Sequence, residues 1–126
     1  MCENKFYICE HCGNIIGMIN DSGVSIVCCG ENMKKLEPGT VDASHEKHVP
    51  VVNVTDNLVK VSVGSVAHPM IVEHSILWIY LQTDKGGHRK CLNPGELPEV
   101  SFALENEKPV SAYAYCNLHG LWKMDI

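Results

Sequence analysis

The sequence contains no long hydrophobic run and no cluster of basic residues. Its longest apolar run, residues 76–81, has six residues, whereas a membrane-spanning helix needs about twenty. The N-terminus has no apolar stretch of the kind found in signal peptides. Ten Lys and Arg against fifteen Asp and Glu give a net charge of −5, which offers nucleic acid no basic surface. We therefore expect a cytoplasmic protein that binds neither membranes nor nucleic acid.

Cysteine and histidine are abundant by contrast, with seven residues of each among 126. In a reducing cytoplasm, cysteines bind metals more often than they form disulfides. An odd number of cysteines also fits a complete disulfide framework poorly. These counts predict a metal-binding protein.

Four of the cysteines form two pairs near the N-terminus, Cys9 with Cys12 and Cys28 with Cys29. Two intervening residues allow both thiolates of a C-x2-C turn to bind one ion, and Gly13 lets the backbone curl past them. The adjacent pair restricts the angle between sulfur, metal and sulfur, so we expect a distorted tetrahedron. Four buried thiols or two disulfides are the alternative. Four thiolates accept either zinc or iron, so a structural zinc ribbon remains open at this point.

The cysteine-rich segment is too short to bury a sufficient core, and a bound metal would stabilise it. Within it, residues 13–19 and 24–27 flank a turn-like sequence and are interpreted as a β-hairpin between the cysteine pairs. A Pro-Gly turn follows the segment. We therefore predict a metal-binding module over residues 1–37 and a second domain over residues 38–126.

The second domain has a strand-like pattern. Val59, Val61 and Val63 alternate with polar residues, which is typical of a half-buried strand. No long segment has helical periodicity. Turn signals separate the strand candidates, which are residues 50–54, 59–63, 76–83, 100–104 and 110–115. Short strands at this spacing predict an all-β fold with a β-sandwich.

A second group of metal-binding residue types lies near the ends of these strand candidates. Its members are His48, His68, His74, Cys116 and His119. The C-x-x-H spacing of the last two can close a turn on one metal. Taken one at a time, each histidine is more typical of a surface or of a hydrogen-bonded structural position than of a metal ligand. Spacing does not show that the five side chains converge.

Six blocks of the sequence together resemble the desulfoferrodoxins, the two-iron superoxide reductases. The matching blocks are YICEHCGN (7–14), CCG (28–30), EKHVP (46–50), GSV with HPM (64–66 and 68–70), EH with WI (73–74 and 78–79) and CNLHGLW (116–122). They occur in the family's order and cover nearly the whole chain.

The resemblance implies a desulforedoxin-like N-terminal module followed by an immunoglobulin-like β-sandwich, with one iron in each. The first iron, centre I, would have four thiolate ligands, carried over to Cys9, Cys12, Cys28 and Cys29. The second iron, centre II, would have four equatorial imidazoles and one axial thiolate, carried over to His48, His68, His74, His119 and Cys116. Five ligands leave one position of an octahedral iron open.

The resemblance also implies an activity, the one-electron reduction of superoxide to hydrogen peroxide, with a rubredoxin-like electron donor and a homodimeric assembly. Because the chain is acidic and superoxide is an anion, a local cation is needed. Lys47, beside His48, is the candidate that steers superoxide and positions a proton-donating water. Glu46 resembles the family's carboxylate that occupies the sixth iron position after oxidation.

Two other functions remain open at this stage. One is a rubredoxin-like electron carrier or redox sensor that uses centre I, with centre II inactive or structural. The other is a zinc-stapled interaction module. Five of the cysteines and histidines are left without a metal role: Cys2, Cys91, His11, His45 and His88. We expect Cys91 to be a small core residue, Cys2 to be uninvolved and the three histidines to lie on the surface.

Overall fold

The structure, a computed structural model, describes residues 4–126, so Cys2 lies outside the described residues. These residues divide into two compact units, one ending at Glu37 and the other running from Pro38 to Ile126. None of the helices within residues 4–126 is long and apolar enough to cross a membrane.

The N-terminal unit consists of short strands joined by turns. Its strands are β1 (Lys5–Ile8), β2 (Ile15–Met18), β3 (Val27–Cys28), β4 (Glu31–Asn32) and β5 (Lys34–Lys35). β1 is the centre of a three-stranded antiparallel sheet in the order β2-β1-β5, and β3 pairs with β4 separately. The buried hydrophobic residues described in this unit are Phe6, Cys9 and Met33. So small a core leaves much of the stability of the unit to other interactions.

The predicted hairpin of residues 13–19 and 24–27 is wrong. β2 pairs with β1, with Lys5 opposite Met18, and β3 pairs with β4. A tight turn favours pairing of the strands that flank it, and each cysteine pair lies at such a turn. The first pair lies between β1 and β2, and the second lies where β3 turns into β4. The two metal-binding turns therefore belong to two different hairpins.

The C-terminal unit is a β-sandwich, which confirms the predicted all-β fold class. Its elements are α1 (His45–His48), β6 (Pro50–Thr55), β7 (Leu58–Val63), β8 (Ile76–Thr83), β9 (Gly86–Cys91), β10 (Glu99–Ala103), β11 (Pro109–Cys116) and β12 (Gly120–Asp125). One sheet has the order β10-β7-β6 and the other the order β12-β11-β8-β9. All pairings within both sheets are antiparallel.

The core lies between the two sheets. Val59, Val61 and Val63 of β7 point inward and have no exposed surface, as their alternation with polar residues predicts. They pack in one cluster with Ile79 of β8 and Cys116 of β11. Burying one such aliphatic side chain contributes about 1.5–3 kcal/mol. Because Cys116 belongs to this core, its position is fixed by the packing of the sandwich.

The strands β9 and β12 and the single turn of α1 were not predicted. β9 is an edge strand that begins with Gly86 and Gly87 and continues with exposed Arg89 and Lys90. Its sequence is therefore typical of a turn followed by a polar segment, and pairing with β8 makes it a strand. β12 begins directly after the C-x-x-H turn, so its first residues belong to the block that was interpreted as a ligand motif and not as a strand.

Cys91 is not a core residue, contrary to expectation. It lies at the end of the edge strand β9 with an exposed side chain, and its Sγ accepts a hydrogen bond from Arg89 at 3.4 Å. His11 and His45 are exposed, as expected, while His88 is half-buried with its Nε2 2.8 Å from Glu107.

The predicted ligands of centre II lie at one end of the sandwich. β6 begins where β7 ends, since Pro50 is paired with Val63. In the other sheet, Cys116 at the end of β11 is paired with both Ile76 and Gly120, which begin β8 and β12. The loops that precede or follow these strand ends carry the histidines, so antiparallel pairing brings distant parts of the sequence together.

Candidate metal centres

The four cysteines of centre I form one compact group of donor atoms. All four Sγ atoms lie within 4.8 Å of one another. In the first turn, the amide of Gly13 donates to the carbonyl of Cys9 at 2.9 Å, and Gly13 has a φ of +82°. In the second turn, Cys29 and Gly30 have φ values of 53° and 77°. These left-handed conformations turn the chain sharply enough for adjacent cysteines to face one site.

The pKa values of two of these thiols indicate that the group suits a cation. Hydrogen bonding from the backbone N–H of Cys12 is the main reason that the pKa of Cys9 falls to about 6. The neighbouring thiols, Cys12 first, raise the pKa of Cys29 to about 12. Ionising one thiol thus makes the next harder to ionise unless a cation compensates the charge. A tetrathiolate metal site satisfies this requirement.

The five predicted ligands of centre II converge. Donor atoms of His48, His68, His74 and Cys116 all lie within 4.8 Å of one another. His119 joins this group, because its Nδ1 lies 3.1 Å from Nε2 of His48 and 3.9 Å from Sγ of Cys116. The group therefore offers four imidazole nitrogens and one thiol, more than the four ligands of a structural zinc site.

Backbone carbonyls orient two of the imidazoles. Nδ1 of His48 lies 2.6 Å from the carbonyl oxygen of Ser44, and Nδ1 of His68 lies 2.7 Å from that of Pro69. A carbonyl oxygen only accepts hydrogen bonds, so each Nδ1 carries the proton and each Nε2 keeps a free lone pair. This is the arrangement by which outer-shell bonds prepare histidines for metal binding.

Burial favours the neutral form of three of the imidazoles. Burial lowers the pKa of His68 to about 4, and it also lowers the pKa of His48 and of His74. Neutral imidazoles are the form that binds metal. Nε2 of His74 is buried and has no hydrogen-bond partner among the described residues. A metal ion would satisfy this nitrogen, whose burial without a partner is otherwise costly, so the donor set fits an iron ion.

Lys47 and Glu46 lie in α1, immediately before His48, and both side chains are exposed. Burial is the main cause of the lowered pKa values of His48 and His74, the charges of neighbouring histidines come next, and the positive charge of Lys47 makes the smallest contribution. Among the described residues, the Glu46 carboxylate is not part of the group of donor atoms.

The backbone of α1 is fixed by the loop after β7. The carbonyl oxygen of Glu46 accepts hydrogen bonds from the amide of Val66 at 2.9 Å and from Oγ of Ser65 at 3.2 Å. Gly64 allows this approach, because a Cβ at this position would lie 2.6 Å from the same oxygen. The loop that leads to His68 thus also positions the turn that carries Lys47 and His48.

Several residues that shape centre II were not predicted. They are Ser44 and Pro69, which act through their carbonyls, Gly64, Asn117 and Trp122. Any residue can offer a carbonyl, so the first two carry no signal in the sequence. Trp122 packs its ring 5.0 Å from that of His48 and donates from Nε1 to the carbonyl of His119 at 3.0 Å. Its place in the CNLHGLW block was the only available signal.

Comparisons with known proteins agree with this arrangement. A sequence model of the desulfoferrodoxin family matches residues 40–125, and a model of the N-terminal domain of desulfoferrodoxin matches residues 2–36. A desulfoferrodoxin of Nitratidesulfovibrio vulgaris is 50% identical over 123 residues, which cover 98% of this chain and 97% of that protein.

Two proteins named superoxide reductases are also similar. That of Pyrococcus horikoshii is 35% identical over 103 residues, covering 68% of this chain and 90% of that protein. The crystal structure of the superoxide reductase from Treponema pallidum superposes with a TM-score of 0.82 at 44% identity, covering 98% of this chain and 99% of that one. With matches over both units, this chain belongs to the desulfoferrodoxin family.

Proposed function

We propose that this protein is a superoxide reductase. One superoxide, one electron and two protons give one hydrogen peroxide, and no dioxygen is released. The convergence of four imidazoles on the buried thiol of Cys116 carries the proposal, since it creates a five-ligand site in a family with relatives named superoxide reductases. Iron bound there would supply the one-electron chemistry, with one coordination position left open for a small anion.

The residues of the chain have separate tasks in this reaction. The imidazoles of His48 and His68, held through their Nδ1 atoms, keep their Nε2 lone pairs directed at the site. Cys116 would supply a thiolate whose electron density favours electron transfer, the same means by which haem thiolates act. The core of the sandwich buries Cys116 and closes the thiolate side of the site to solvent.

Lys47 is the proposed steering residue. The net charge of −5 repels superoxide at long range, while a cation near the site raises the local concentration of the anion. The position of Lys47 in α1, directly before His48, supports this task, and its charge makes a small contribution to the lowered pKa values of His48 and His74 after burial and neighbouring histidines. Its ammonium group would also hold a proton-donating water beside the bound anion.

Lys47→Ala should lower the second-order rate of superoxide decay by about 10-fold and weaken its dependence on ionic strength, because electrostatic steering is screened by salt. Pulse radiolysis measures both quantities. Lys85→Ala is the matched control, since it removes the same charge from an exposed turn between β8 and β9. An unchanged rate with unchanged salt dependence would rule out steering by Lys47.

We further propose that Glu46 supplies the carboxylate that occupies the open position after oxidation. Its exposed position two residues before a ligand of centre II supports this role. The family resemblance also supports a rubredoxin-like electron donor, a homodimer and a cytoplasmic location.

Anaerobic purification followed by iron quantitation and a superoxide assay tests the proposed function. The enzyme should contain two irons per chain, one for each centre, and should consume superoxide without releasing stoichiometric dioxygen. Native protein with a single zinc per chain would contradict the proposal. The second candidate function, an electron carrier, is favoured only by the complete set of thiols at centre I, and it predicts redox activity without superoxide consumption.

A further inference from the structure

Asn117 connects two parts of centre II that are distant in sequence. It follows Cys116 directly, and its side chain reaches the segment that contains His74. Nδ2 of Asn117 donates to the carbonyl of Glu73 at 3.0 Å, and Oδ1 accepts from the amide of Ser75 at 3.0 Å. The backbone amide of Asn117 also donates to the carbonyl of Ser75 at 3.2 Å. Three hydrogen bonds thus bracket His74 on both sides.

His74 depends on such a constraint more than the two imidazoles whose Nδ1 atoms bond to carbonyls. Its Nε2 is the buried nitrogen that would face the metal, and no backbone carbonyl within residues 4–126 orients its ring as carbonyls orient the rings of His48 and His68. The backbone of His74 exchanges two hydrogen bonds with Ile71, at 3.1 and 3.2 Å. These bonds close a local turn but do not tie that turn to the strand that ends in Cys116. Asn117 supplies that connection, in addition to the pairing of Ile76 with Cys116 that begins after Ser75.

The side-chain amide of Asn117 suits both of its hydrogen-bond partners, which are backbone groups of Glu73 and Ser75. The carbonyl of Glu73 needs a donor and the amide of Ser75 needs an acceptor, and asparagine offers both on one short planar group. Aspartate at neutral pH offers only acceptors, and alanine offers neither.

We propose that Asn117 is a positioning residue that sets the place of the His74 imidazole relative to the Cys116 thiolate. It acts through the backbone on either side of His74, and thereby determines how tightly centre II holds its metal. This inference deepens the proposed function and rests on it, because it concerns the same site.

The experiment compares the wild type with Asn117→Ala and Asn117→Asp in the full-length, iron-loaded protein. Competition with a chelator gives the iron affinity of each centre, and visible and EPR spectra report the ferric form of centre II. Asn117→Ala should weaken iron binding at centre II by about 10- to 100-fold, the usual cost of losing an outer-shell partner, and should shift its spectrum. Asn117→Asp keeps the acceptor for Ser75 but sets a carboxylate oxygen against the carbonyl of Glu73, so its affinity should also fall.

Centre I in the same sample is the internal reference, and its affinity should not change. Asn53→Ala, an exposed position on β6, should leave both centres unchanged. A role limited to folding would lower the unfolding temperature of the metal-free variants and leave the affinity and spectrum of centre II as in the wild type. That result would overturn the proposal.

If Asn117→Ala does not fold, Asn117→Asp decides the matter, because wild-type affinity at centre II in that variant would contradict the role of the amide donor. A failure of the proposed function gives a different result. Wild-type protein with both irons that does not consume superoxide would refute the enzymatic activity, while a selective loss of affinity at centre II would still establish the positioning role.

Discussion

Replacing Cys116 by serine should abolish superoxide consumption while centre I keeps its iron. Cys116 is the single thiol in the donor group of centre II, and its side chain has no exposed surface. A serine hydroxyl does not ionise near neutral pH, so the site would lose its anionic, electron-donating ligand. Losing an outer-shell partner typically lowers metal affinity or activity by about 10- to 100-fold. Because Cys116 is a direct ligand of the proposed iron, its loss should lower the rate of superoxide decay by more than about 100-fold. Pulse radiolysis and iron quantitation measure the two effects.

The control for this variant is Cys91→Ser, which changes the exposed thiol at the end of β9 and should alter neither iron content nor rate. Serine at position 116 places a hydroxyl in the core of the sandwich, which is expected to cost about 1–3 kcal/mol. Thermal unfolding therefore has to show that the variant is folded at the assay temperature. A folded Cys116→Ser protein with the wild-type rate would show that superoxide is not reduced at centre II.

The two centres differ in how far the sequence predicts them, and the reason is the distance between their ligands along the chain. Cys9 and Cys12 lie in one turn and Cys28 and Cys29 in another, so local spacing alone indicates a metal site. In centre II, local spacing connects only Cys116 with His119. The other histidines reach the site through strand pairing, which spacing cannot show. There the family resemblance supplied the ligand set before the structure brought the five side chains together.

The strands, like the metal ligands, can be predicted where the pattern lies within one segment and not where it depends on pairing between segments. The alternating valines of β7 face the core as predicted, because a period of two fixes which side is buried. The polar edge strand β9 and the hairpins of the N-terminal unit depend on neighbouring strands, which the pattern of a single segment does not reveal. The carbonyls of Ser44 and Pro69, which orient two imidazoles, are likewise determined by backbone conformation and not by side-chain type.

Replacing Cys9 by serine should have the second large effect, the loss of iron from centre I together with the ordered structure of the N-terminal unit. Cys9 is the buried thiol of this centre, and only Phe6 and Met33 accompany it as buried hydrophobic residues within residues 4–37. Structural zinc contributes about 10–16 kcal/mol to the folding of comparably small metal modules, and we expect iron to be similarly important here. Iron content should fall from two to one per chain, and hydrogen exchange should accelerate across residues 4–37. Cys91→Ser should show neither change.

The same variant distinguishes two roles of centre I. Two reactions of a Cys9→Ser protein with iron in centre II are compared with those of the wild type. The first is a single reaction with superoxide after centre II has been reduced, and the second is repeated turnover with a protein electron donor. If centre I only stabilises its unit, both reactions should proceed at the wild-type rate. If centre I relays electrons, the first reaction should be unchanged and the second slower. Slow hydrogen exchange over residues 4–37 after loss of the iron would contradict the stabilising role, because it would mean that the strands of this unit remain folded without the metal.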